Sequence, residues 1–231
     1  VRRSVALAVL VLAVAACGSK SKSAAQAPTP SCPSAGLHTV DGGFYRMPSG
    51  AQVGRTPLIV VVMPGGNGDR TDRLGIARAG NRAGMAVLYP TSSSHFWTLN
   101  HAQGNKDVED VSGLLARLAQ TGCFDDKRLS VTGVSNGAGF AARLSCELPD
   151  RFAAVVPVAA GYRALDQCPA NARFDFLDIH GTADTVVPYN GKKPGREGSV
   201  PRYTARVAKR DGCSGKPRVS TPRRLVTKTV Y

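Results

Sequence analysis

The sequence predicts an α/β fold, a mainly parallel sheet with helices on both faces, and three observations carry that prediction. Short apolar runs rich in β-branched residues are bounded by Gly and Pro, stretches of helical periodicity separate them, and the alternation continues without an internal repeat. Residues 58–63 are a continuous apolar run that ends in Pro64-Gly65-Gly66-Asn67-Gly68, the pattern of a fully buried strand followed by a Gly-rich turn. A helix is expected over 70–83, then a strand over 85–89 stopped by Pro90. Over 105–120, Val108, Val111, Leu114, Leu115 and Leu118 recur at helical spacing. After a turn at 123–127 comes a buried strand at 129–132. The pair repeats as a helix over 138–147 and a strand over 153–159, and residues 174–179 form a further strand before His180-Gly181-Thr182-Ala183-Asp184. With 42% hydrophobic and 20% charged residues in 231, the chain can bury one sizeable core.

The first residues read differently from the rest. Arg2 and Arg3 precede an apolar run from Val5 to Ala16, too short to cross a hydrocarbon layer of about 30 Å, so residues 1–16 are expected to be an export signal. Val14-Ala15-Ala16-Cys17 is similar to a bacterial lipobox, which makes Cys17 the expected lipidation site. An ordinary leader with an incidental Cys is the alternative. Residues 17–36 hold little to bury and are expected to be a tether, with the domain over 37–231. The 30 Lys and Arg against 16 Asp and Glu give +14. These charges are scattered and lack any nucleic-acid-binding motif, so a solvated basic surface is expected and a nucleic-acid partner is not.

Export places Cys32, Cys123, Cys146, Cys168 and Cys213 in an oxidising compartment. Cys146 is expected to pair with Cys168, because one lies on a helix and the other follows the next strand, so the two segments should be neighbours. Cys32 with Cys123 is the second expected pair. That leaves Cys213 over, and its partner is expected outside these residues. No C-x-x-C or H-x-x-x-H spacing occurs, so neither a metal nor another cofactor is expected.

Chemistry concentrates at Gly133-Val134-Ser135-Asn136-Gly137, a G-x-S-x-G pattern between a buried strand and an Ala-rich helix. A sharp strand-to-helix turn projects a serine hydroxyl out of the sheet and admits only small residues two positions away on either side. Ser135 is the expected nucleophile; an incidental Ser in a turn is the bland alternative. Its base needs a carboxylate to orient it, and Asp184, in the loop between Gly181 and Pro188, is better placed for that than Asp178 or Asp175. Oxyanion donors are expected from the backbones of Asn136 and Gly66. Trp97 is expected to line the substrate cleft together with Phe96, with a core or surface role as the alternative. The chain has four histidines, His38, His95, His101 and His180, and none follows Asp184. His180 is expected to shape the acid loop.

The stretch from Arg128 through the elbow to Glu147-Leu148-Pro149-Asp150-Arg151-Phe152, with Ile179 to Asp184 and Val187-Pro188-Tyr189, resembles the esterases grouped with poly(3-hydroxybutyrate) depolymerases and feruloyl and acetyl-xylan esterases. The resemblance implies an α/β-hydrolase fold, with nucleophile and acid falling on Ser135 and Asp184. It also implies cleavage of carboxylic esters, small or polymeric, through an acyl-enzyme; the chain itself is expected to be an exported monomer that touches a membrane only through its lipid anchor. The sequence departs from that family twice. Pro64-Gly65 stands where His-Gly is usual, and the histidine expected late in the fold is absent, which implies a chain lacking its last strand and helix. Two rival readings are a non-catalytic cell-surface lipoprotein that retains the fold, and a peptidase of the same fold.

Overall fold

A computed structural model describes residues 31–162, 168–192 and 198–231; the leader, Cys17 and most of the tether lie outside the described residues. The chain begins with an antiparallel pair, β1 (Gly36–Val40) and β2 (Gly43–Met47), which sequence reading missed. It continues through β3 (Thr56–Val62), α1 (Ile76–Arg82), β4 (Ala86–Pro90), α2 (Lys106–Ala119), β5 (Phe124–Val134), α3 (Asn136–Glu147), β6 (Ala154–Val158) and β7 (Asp175–Phe176). A helix, α4 (Val200–Arg210), and a hairpin of β8 (Arg218–Arg223) and β9 (Val226–Val230) follow. The main sheet runs β1-β2-β4-β3-β5-β6-β7. From β4 to β7 every pairing is parallel, while β1 and β2 are antiparallel.

Period-two alternation divides the sheet's side chains between two layers. Leu58, Val60, Val62, Ala86, Leu88, Leu129 and Val131 face the apolar stripe of α2, Val108, Val111, Leu114, Leu115 and Leu118, and the Phe140 and Leu144 side of α3. Val61, Val87 and Tyr89 point the other way and pack with Phe44, Met63 and Ala77 of α1. Beside the first layer, α4 sets Val200, Tyr203 and Val207 against Ala138, Ala142 and Tyr162, with Tyr162 and Tyr203 stacked at 3.9 Å.

Three expectations about element limits are corrected. The helix expected over 70–83 begins only at Ile76, because the Asp72 carboxylate accepts the N–H groups of Ala77 and Arg78 and Gly75 holds φ 69 before them. The turn expected at 123–127 is strand: Phe124 pairs with Thr56, and a bulge between Thr56 and Leu58 restores the register at Leu129. The strand expected over 174–179 is extended, with Leu177 donating to the Val155 carbonyl at 3.1 Å and Ile179 to Pro157 at 3.1 Å, but its regular ladder is confined to Asp175–Phe176. Lying at the margin of the described sheet, it leaves Leu177 and Ile179 half exposed. Residues 226–230 form β9, which pairs with β8 outside the main sheet.

Both expected disulfides are formed. Cys146–Cys168 ties the end of α3 to the segment after β6, and Cys32–Cys123 ties the residues before β1 to the start of β5. Cys213 is free and exposed.

Candidate active site

Ser135 alone makes the turn between β5 and α3, with φ 55 and ψ −121. A side-chain-bearing residue in such a conformation costs on the order of 1–3 kcal/mol and persists only where its surroundings over-determine it. Here the Ser135 N–H donates to the Val158 carbonyl at 2.9 Å and the Ser135 carbonyl accepts from Gly139 at 3.1 Å. The flanking glycines are steric necessities. A Cβ on Gly137 would lie 2.1 Å from the Val62 oxygen, and one on Gly133 would lie 2.6 Å from the Gly137 carbonyl. Helix α3 therefore starts almost against the end of β3, with its unpaired N-terminal N–H groups beside the serine.

The Gly-rich turn after β3 forms the second wall. Gly65 and Gly66 hold φ 78 and 66, and a Cβ on Gly66 would meet Ser92 at 2.9 Å. The Gly66 carbonyl accepts from Ser92 N–H at 2.9 Å, whereas the Gly66 N–H donates to the Met63 oxygen in a long bond of 3.4 Å.

Asp184 sits in the loop after the 174–179 segment. Its Oδ1 accepts from Val186 and Val187 N–H groups, each at 2.8 Å, and these two amides, Val187 foremost, hold its carboxyl below the usual carboxylate range. Asp178 differs: burial pushes its carboxyl up, although the Tyr162 hydroxyl donates to it. Asp175 is exposed at the strand's start. Backbone bonds link the loops that carry these groups: Ser135 N–H to Val158, and Ala159 N–H to Ile179 at 2.9 Å. The elbow and the start of the acid loop thus share the carboxyl edge of the sheet, two strand spacings or about 10 Å apart.

Two of the four histidines meet backbone carbonyls through their ring nitrogens. His180 has a side chain only 1% exposed; its Nε2 is 2.8 Å from the Val187 carbonyl and 3.6 Å from Asp184 Oδ2, while its Nδ1 is buried without a partner among the described residues. It braces the acid loop, the role expected of it. His38 Nε2 meets the Ser34 carbonyl at 2.7 Å and its ring stacks on Tyr45. His95 is exposed, and the His101 side chain lies outside the described residues. Among the described residues no group of three or more His, Cys, Asp or Glu side chains is gathered as metal ligands would be.

One expected site residue is corrected. Trp97 does not line a cleft: it is 1% exposed, its ring stacks on Phe140 at 4.6 Å, and its indole N–H donates to the Met63 carbonyl at 2.8 Å. An indole N–H that finds a buried acceptor lets the largest apolar side chain enter the core. Phe96 beside it is 65% exposed.

Sequence reading also missed how the 92–105 segment is held. The Asn136 side chain grips the Trp97 backbone in both directions, accepting from its N–H and donating to its carbonyl at 2.9 Å each. Asp107 accepts from Ser92 Oγ at 3.2 Å and from Thr98 N–H at 2.8 Å. Buried Arg143 donates to the Thr98 and Gly104 carbonyls and to Asn105 Oδ1, and pairs with Glu147. A polar residue at a helical position expected to be apolar, such as Arg143, was the available signal.

Comparison with known proteins converges on this arrangement. A family model described as "Esterase PHB depolymerase" matches residues 43–187. Feruloyl esterase B of Piromyces equi is 31% identical over 127 residues, which are 50% of this chain and 24% of that protein. A crystal structure of a thermostable esterase superposes with a TM-score of 0.58 at 21% identity, covering 74% of this chain and 49% of that one. One of a protein of unknown function from Agrobacterium tumefaciens, named as a candidate alpha/beta hydrolase, superposes with a TM-score of 0.55 at 17% identity, over 75% of this chain and 78% of that one. The fold is that of the α/β-hydrolases. The chain spans about a quarter of the feruloyl esterase and about half of the thermostable esterase.

Proposed function

The chain belongs to the esterase PHB depolymerase family, and from that premise we propose that it carries the nucleophile half of a serine hydrolase acting on carboxylic esters. The observation that supports this reading most is the strained Ser135 elbow, fixed by glycines that no other residue could replace. In the proposed reaction the Ser135 oxygen attacks the ester carbonyl carbon and its proton passes to a general base. The tetrahedral oxyanion is met by the Gly66 and Asn136 N–H groups; its collapse breaks the bond to the alcohol, which takes the proton from the base. Water then repeats the sequence on the acyl-enzyme, releasing the acid and freeing Ser135. Asp184 would orient the base and stabilise its charged form, a task suited to a carboxyl whose backbone donors keep it ionised. Feruloyl, acetyl or hydroxyalkanoate esters, small or polymeric, are the proposed substrate class. No cofactor is proposed.

Stoichiometric reaction with p-nitrophenyl acetate followed by peptide mapping tests this reading. The expected result is an acetyl group on Ser135, with p-nitroanilides of amino acids and peptides left uncleaved. Acetylation elsewhere, or faster reaction with the anilides than with esters, would favour the binder or the peptidase reading.

We also propose that Cys17 carries a lipid and that residues 1–16 direct export. Changing Cys17 to Ser is expected to move the protein from the membrane to the soluble fraction. A mature protein that is soluble and begins at a residue other than 17 would sink that reading.

A further inference from the structure

The pair Trp97 and Asn136 bridges the two halves of the candidate oxyanion site. The Asn136 amide holds the Trp97 backbone by two hydrogen bonds of 2.9 Å, and the Trp97 indole reaches the Met63 carbonyl at 2.8 Å. Met63 opens the turn that carries Gly66, and Asn136 opens helix α3. Trp97 is thus bonded on one side to the residue that precedes one proposed donor and on the other to the residue that supplies the second. The same Met63 oxygen also accepts from the Gly66 N–H, at 3.4 Å.

We propose that Trp97 and the Asn136 side chain are positioning residues that set the spacing of the two oxyanion donors and hold the Gly66 N–H in a long bond that a developing oxyanion can displace. The indole shares the Met63 oxygen at short range, so the turn's own bond from the Gly66 N–H to that oxygen stays long, at 3.4 Å. A closed turn would consume the donor that a developing oxyanion requires. The asparagine matters for its geometry: one group must accept from the N–H and another donate to the C=O of a single residue, which an amide does and a carboxylate or methyl does not. Stacking of Trp97 on Phe140 at 4.6 Å and its 1% exposure keep the strut rigid.

The part concerning oxyanion binding rests on the serine-hydrolase reading, and the test separates the two. In the 231-residue protein, Trp97→Phe keeps a ring against Phe140 and removes the indole donor; Asn136→Asp keeps the acceptor and removes the amide donor. Amide NMR is expected to show the Gly66 N–H of Trp97→Phe shifted downfield and exchanging at least about 10-fold more slowly than in wild type, as it closes onto Met63. Phenylboronic acid provides the second readout: Ser135 Oγ adds to the trigonal boron, its proton goes to solvent, and the adduct is a tetrahedral anion. Its Kd is expected to rise about 10-fold or more in both variants, since a lost oxyanion donor costs about 10² to 10³ in rate. An unchanged Gly66 amide in Trp97→Phe overturns the strut, whatever the boronate does. Boronate that binds Ser135→Ala as it binds wild type, or that does not bind wild type, overturns the hydrolase reading and leaves the amide measurement to decide the strut.

Discussion

Hydrolysis of p-nitrophenyl acetate by these 231 residues is expected to be slower than by a serine esterase with a complete triad by a factor on the order of 10⁴ to 10⁶. The triad acts as a unit, and none of the four histidines follows Asp184, where this fold's chain order places the base. His180 is near the acid, but its Nε2 is committed to the Val187 carbonyl at 2.8 Å. What survives is the contribution of oxyanion donors and substrate binding, a factor of about 10³ over water, and Ser135→Ala is expected to abolish covalent acylation. Steady-state rates for the wild type, Ser135→Ala and His180→Ala decide the matter. Ordinary enzyme rates that vanish in His180→Ala would make that histidine the base; ordinary rates that persist in Ser135→Ala would remove the nucleophile assignment.

Gly137→Ala is expected to destabilise the fold by about 3 kcal/mol or more, at or beyond the upper end of ordinary overpacking. The added methyl would lie 2.1 Å from the Val62 oxygen and 2.7 Å from its carbonyl carbon, so the obstacle is the backbone of the central strand β3 and not a side chain that can swing aside. For a chain of this size that corresponds to a fall in Tm of roughly 6–12 °C. Gly113→Ala in α2 is the control, because its Cβ would meet only an Arg117 side-chain nitrogen at 3.4 Å and alanine is the better helix former. Its Tm is expected to stay level or rise. Equal melting temperatures for Gly137→Ala and wild type would mean that β3 and α3 are not packed as described.

The parallel strands and the elbow were legible because their signals are local. An apolar run such as 58–63 must be buried on both faces, and a serine between two obligatory glycines announces its turn. The hairpin of β1 and β2 was not, because Gly36–Val40 is mostly exposed and His38, Thr39 and Val40 form no clear alternation. Helix α4 was hidden by its charges, with only Val200, Tyr203, Val207 and Ala208 reaching the core. Trp97 was misplaced for another reason. Burial of an indole depends on an acceptor 34 residues earlier, the Met63 carbonyl, and nothing in His95-Phe96-Trp97 reveals that partner. Both disulfides could be anticipated because one joins consecutive units of the α/β alternation, and because Cys32 and Cys123 were the next cysteines to consider.

The Cys32–Cys123 bond also fixes a polarity. It fastens the chain at the start of β5, immediately before Phe124, while Ser135 stands just past the far end of the same strand. Along the neighbouring β3 the two ends lie six residues apart, Thr56 beside Phe124 and Val62 beside Gly133, a span of about 20 Å at the rise of an extended chain. Cys32 is therefore fastened on the side of the domain opposite the serine. A lipid at Cys17 would pull on the domain from that floor, the side away from the proposed nucleophile.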